Sequence, residues 1–224
     1  MLHSFVKNWG KLVSNSESVS SKIATTVLEG VSNGLWSHRA KLMPDIVELH
    51  GPSSSLKWFL SNMPAYEKIL KNWGPIRTHF IAVVISAFNG CSYCTYGHGY
   101  AFQLHWFNDF DELFPMDEVE MVALGTRESK EVREQLEAAI TTNGRLEAAH
   151  LLPWLERVSE IIDEPESATN SENDKALQQL ISMFGFLNAC AIEASTKLDE
   201  AHDPINKDTE LRARYDDARA QETQ

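Results

Sequence analysis

Apolar positions along the chain recur at three and four residues rather than at two, which predicts helices and no strand alternation. Ile23, Val27 and Val31 follow a serine-rich stretch from Ser14 to Ser21. This pattern predicts a short helix, a turn and a second helix ending at Asn33-Gly34. Leu35 to Leu49 predicts one or two short helices broken near Pro44. Gly51-Pro52-Ser53-Ser54-Ser55 reads as a turn that caps a helix through Leu56, Phe59 and Leu60. A further helix starts at Pro64 and stops at Gly74-Pro75. The next, Ile76 to Phe88, is apolar nearly all round and is expected at the centre of the fold.

Asn89-Gly90 interrupts that run, and a second apolar helix continues from Cys94 to Phe107. Amphipathic helices are predicted over 116–125, 129–142, 146–162 and 175–198, with a solvated acidic loop between Asp163 and Asp174. Beyond Asp203 apolar residues become sparse, which predicts a loose helix or a flexible tail. The class is all-α. Its expected organisation is an N-terminal helical extension over 1–55, a helical core over 56–200 and a charged, flexible tail over 201–224.

Composition narrows the function classes. A chain of 224 residues with 43% apolar content can bury a large core, so disorder throughout is excluded. The net charge of −12 argues against nucleic acid, because neutralising phosphates needs a basic surface. The N-terminal residues lack the pattern of a secretory signal, and no run reaches the ~20 apolar residues that span a bilayer. A cytoplasmic protein with no membrane partner is expected. Three cysteines in that setting suit a reversible dithiol and one bystander, Cys190, read as a small buried hydrophobe.

The dithiol is Cys91-Ser92-Tyr93-Cys94. Placed at the start of a helix, its sulfurs meet unpaired backbone N–H groups and the positive end of the dipole, which favour thiolate over thiol. His98 follows Cys94 by four residues, so on a helix the two side chains share a face. A base beside a thiolate is what a reactive cysteine requires. His105 and His50 read as a core residue and an exposed loop residue, respectively. Gly97 and Gly99 flank His98 and allow another backbone or a substrate to come close.

The run from Arg77 and His79 through the apolar helix to the C-x-x-C-x-x-x-H segment resembles the alkylhydroperoxidase D and carboxymuconolactone decarboxylase superfamily, over about residues 56 to 125. The resemblance implies an alkylhydroperoxidase D-like fold built on a central cysteine-bearing helical hairpin. It makes Cys94 the thiolate that attacks a hydroperoxide and passes through a sulfenic acid, Cys91 the resolving thiol and His98 the relay base. Two positions depart from the family pattern: His79 stands where its redox members carry glutamate, and Tyr93 where the peroxidase has histidine. Histidine also exchanges protons near neutral pH, so His79 is expected in the relay; Tyr93, with an ordinary pKa near ~10, is a poor proton carrier. The implied partners are a hydroperoxide and a dithiol reductant, either a lipoyl-bearing or a thioredoxin-like protein, with the chain itself a homo-oligomer.

No flavin or nicotinamide fingerprint is present, and no cofactor or metal is expected. Three alternatives use the same residues. One is a cofactor-free, decarboxylase-like enzyme with His79 and His98 as acid and base. Another is a zinc site of His79, Cys91, Cys94 and His98. The third is a non-catalytic interaction module on the same fold.

Overall fold

The computed structural model describes residues 2–222, with side chains described from residue 19 onward. Its elements are α1 (Leu2–Trp36), α2 (Leu42–His50), α3 (Pro52–Trp73), α4 (Pro75–Phe88), α5 (Ser92–Phe110), α6 (Glu118–Leu124) and α7 (Ser129–Asn143). They continue with α8 (Leu146–Ala149), α9 (Leu152–Asp163), α10 (Glu172–Ala194) and α11 (Thr209–Glu222), plus short 3₁₀ turns at Pro165–Ser167 and Pro204–Lys207. The fold is all-α, with no strand among the described residues.

Helix α4 occupies the centre because it has no polar face to offer water. Every residue from Thr78 to Ala87 is buried. Pro75 opens the helix in its first turn, where a missing N–H costs nothing. Asn89-Gly90 reverses the chain into α5, and Gly90 adopts φ +73°, a left-handed conformation suited to glycine. A Cβ there would also lie 3.2 Å from the Gly125 carbonyl oxygen. Helices α3, α7, α9 and α10 pack around α4, while α6, α10 and α11 cover α5. The main core runs from Ile69 through Phe80, Val84, Phe102 and Trp106 to Leu136, Leu155 and Phe184. A second cluster joins Leu42 and Ile46 of α2 to Cys91, Tyr93, Cys94 and Cys190.

Three differences from the pattern-based reading bear on the packing. Helix α1 is continuous to Trp36, with no turn in the serine-rich stretch. Its Ala24, Leu28 and Ser32 are buried, whereas Val19, Ile23, Val27 and Val31 form an exposed apolar stripe. Helix α3 runs through Pro64 instead of restarting there. Burial of Tyr66 and Ile69, two and five residues later, supports the helix across the lost hydrogen bond. The segment read as a flexible tail is packed: Ala201, His202, Asp203, Leu211 and Tyr215 are all buried. Tyr215 and Leu211 close a third core against Tyr100, Leu104 and Phe107 of α5. Few apolar residues suffice because these few face one surface and the buried His202 and Asp203 are paired.

Candidate active site

Cys91 is the N-cap of α5. Its backbone is extended, and its sulfur accepts the Cys94 N–H at 3.3 Å. The Cys94 thiol, followed by the Cys94 and Tyr93 backbone N–H groups, hydrogen-bonds to this sulfur and holds the Cys91 pKa below its ordinary value, against the opposing effect of burial. For Cys94 the direction reverses. Burial, then the bond it donates to Cys91, pushes its thiol well above the ordinary value. Within the pair, negative charge is therefore favoured on Cys91 over Cys94, whereas the family resemblance puts the attacking thiolate on Cys94.

Cys94 and His98, one turn apart on α5, line the same cavity with Tyr66, Phe184 and His202. The space open to a water-sized sphere is about 40 Å³, several times what a single water needs. Nearly all of the remaining wall is apolar, from residues such as Leu42, Met43, Met63 and Leu187. Tyr66 is buried in this wall, and its hydroxyl has no hydrogen-bond partner among the described residues. An unpaired buried hydroxyl costs about 1–3 kcal/mol, so its presence in the wall points to a polar ligand.

Behind His98 stands a chain of buried groups. His98 Nδ1 lies 3.0 Å from His79 Nδ1, and His79 Nε2 lies 2.9 Å from an Asp203 carboxylate oxygen. The other Asp203 oxygen faces His105 Nε2 at 3.0 Å and accepts the Ile205 N–H at 2.8 Å. Burial opposes ionisation of Asp203, yet the bonds from His105 and His79 hold its carboxyl well below the usual range. Burial lowers both His79 and His98, the second further because His79 and His202 adjoin it. One arrangement of protons satisfies these observations. His79 donates from Nε2 to the carboxylate and accepts at Nδ1; His98 donates from Nδ1 and keeps a bare Nε2.

A parallel group lies beside it. Asp199 accepts from the Tyr93 hydroxyl and the Lys41 N–H, each at 2.9 Å, and faces His202 Nε2 at 3.0 Å and His38 Nε2 at 3.6 Å. Burial, then the Asp199 charge, pushes the Tyr93 phenol up, so Tyr93 acts as a hydrogen-bond donor and not as a proton carrier. His202 reaches this place because residue 97 is glycine. Its ring lies 2.3 Å from where a Gly97 Cβ would stand, and its N–H donates to the Gly97 carbonyl at 3.0 Å.

The structure thus brings Cys91, Cys94, His98, His79 and Tyr93 to one locus. It adds Tyr66, Asp199, His202 and Asp203, which sequence reasoning missed, and converts His105 from core residue to partner of Asp203. Arg77 is turned away, over the Trp154 ring at 4.8 Å. Cys190 shares the cysteine cluster, and its sulfur is 3.2 Å from Nε2 of the exposed His50. Two groups, His79 with His105 and Asp203, and His38 with Asp199 and His202, bring three metal-ligating atoms within 4.8 Å. Hydrogen bonds and ion pairs between imidazole and carboxylate account for both without an ion. The proposed zinc quartet of His79, Cys91, Cys94 and His98 is not such a group among the described residues.

No family model, no curated protein and no solved structure matches this chain.

Proposed function

We propose that the chain is a thiol-dependent peroxidase of the alkylhydroperoxidase D-like kind, reducing hydroperoxides through the Cys91–Cys94 dithiol. One observation carries the reading: Cys94, a base with a bare nitrogen and an unpartnered tyrosine hydroxyl converge on one small apolar cavity. The Cys94 thiol gives its proton to His98 Nε2, and the resulting thiolate attacks the terminal peroxide oxygen. The O–O bond breaks, Cys94 becomes a sulfenic acid, and the departing alkoxide takes the proton back from His98 as an alcohol. The Cys91 thiol then condenses with the sulfenic acid, forming the disulfide and releasing water. Asp203 and His79 stabilise the transient imidazolium, filling the place of the family's glutamate.

A dithiol reductant returns the pair to its starting state by exchange. The exposed stripe of Val19, Ile23, Val27 and Val31 supports assembly as a homo-oligomer, and a reducing compartment such as the cytoplasm suits the exchange. Among the described residues no helix is long and apolar enough to cross a membrane.

A second reading draws on the Asp203–His79–His98 chain alone. It would serve a cofactor-free acid–base enzyme equally well, with the cysteines as bystanders. Hydroperoxide consumption in the presence of dithiothreitol separates the two. The peroxidase reading expects turnover in the wild type and its loss in Cys94→Ser. Absence of turnover in the wild type would contradict it.

A further inference from the structure

The two cysteines open on different spaces. Cys94 lines the inner apolar cavity; Cys91 lines a separate outer hollow of about 250 Å³, between the start of α5 and the end of α10. Gly90, Ser92, Ala191, Ser195 and Thr196 form much of its wall, so the side chains there are small and none of the lining residues carries a charge. Ser195 ends α10 in the left-handed conformation at φ 52°. On a chain of net charge −12, a neutral approach to a sulfur is a specific feature.

We propose that the dithiol has two entrances: the hydroperoxide meets Cys94 in the inner cavity, and the thiol reductant attacks Cys91 from the outer hollow. This rests on the peroxidase reading for its first half only. In the second half a reductant thiolate bonds to the Cys91 sulfur, the Cys91–Cys94 bond breaks, and the electron pair leaves on Cys94, which takes up a proton. A second reductant thiol attacks the mixed disulfide, frees Cys91 and leaves the reductant oxidised. A lower thiol pKa makes Cys91 the better leaving group and would direct attack to Cys94. Access decides otherwise: both sulfurs are buried, but the hollow that Cys91 borders is the wider, about 250 Å³ against about 40 Å³ at Cys94.

The test measures each half-reaction in the full-length protein. The disulfide is first made with diamide, so reduction can be followed whether or not peroxide reacts. Ser92→Trp, at an exposed position in the outer wall, is expected to slow reduction by dithiothreitol about tenfold, and to change single-turnover oxidation by hydrogen peroxide far less. Met63→Trp, in the inner wall, is expected to do the reverse. Ile192→Trp, about half exposed at the same hollow, repeats the first experiment from the opposite helix. Reduction at the wild-type rate in both outer variants, or a 2-mercaptoethanol adduct that maps to Cys94, would overturn the proposal. Slowed reduction in a protein that peroxide never oxidises would keep the outer entrance and remove the peroxidase reading. Failure of diamide to join the two cysteines would overturn both.

Discussion

Asp203 sets the protonation of two imidazoles at once. As an ionised acceptor it forces the His79 proton onto Nε2, which leaves His79 Nδ1 to accept and His98 Nε2 bare. Asparagine offers one acceptor and one donor, so Asp203→Asn breaks this order. Oxidation of the dithiol by peroxide is expected to slow by about one to two orders of magnitude in that variant, read by stopped-flow, the range lost with a general base. Tyr66→Phe separates function from stability. Removing an unpartnered buried hydroxyl leaves the melting temperature unchanged or raised, while the peroxide rate falls about tenfold. A lowered melting temperature at full activity would show that Tyr66 only packs. At this scale Cys91, Cys94 and His98 were legible because their spacing is local. Asp203 was not: it pairs with His79 across 124 positions, and nothing in a charged segment marks one acid among many.

Helix α5 presents the dithiol at its N-cap and seats His202 on its surface. The second role depends on Gly97, since any Cβ there meets the imidazole at 2.3 Å. Gly97→Ala is expected to destabilise the fold by about 1–3 kcal/mol, measured by denaturant unfolding, and to free the 199–203 segment from α5. Unchanged stability would mean that the His202 ring moves aside at no cost. Glycine beside His98 was readable as a close approach, although the approaching group was not. The apolar character of α4 and the break at Asn89-Gly90 likewise located the hairpin, because a helix without a polar face has one place to go. Continuity of α1 and α3 escaped the pattern. Serine and proline lower helix propensity locally, and in α3 the burial of Tyr66 and Ile69 overrode it.

Across the whole molecule, the packed C-terminal segment turns a hairpin into a closed site: it supplies Asp199, His202 and Asp203, then buries Leu211 and Tyr215 against α5. Packing of this kind is invisible to periodicity when two apolar anchors sit among charges. A second tie lies on the far side, where Arg157 of α9 binds Asp174 of α10 through two hydrogen bonds, at 3.0 and 2.7 Å. Those bonds and the Thr169 hydroxyl hold the Asp174 carboxyl below its ordinary range. A depressed carboxylate contributes stability above its unfolded pKa and loses it as pH falls, so thermal unfolding between about pH 5 and about pH 2 should weaken less steeply in Asp174→Asn than in the wild type. Parallel curves would remove this pair from the acid response. The central claim is the redox role of the dithiol, and its most direct test is the thiol state after one equivalent of hydroperoxide, mapped by mass spectrometry. The account predicts a Cys91–Cys94 disulfide with Cys190 still reduced, and no reaction in Cys94→Ser. Two cysteines that stay reduced under peroxide would contradict it.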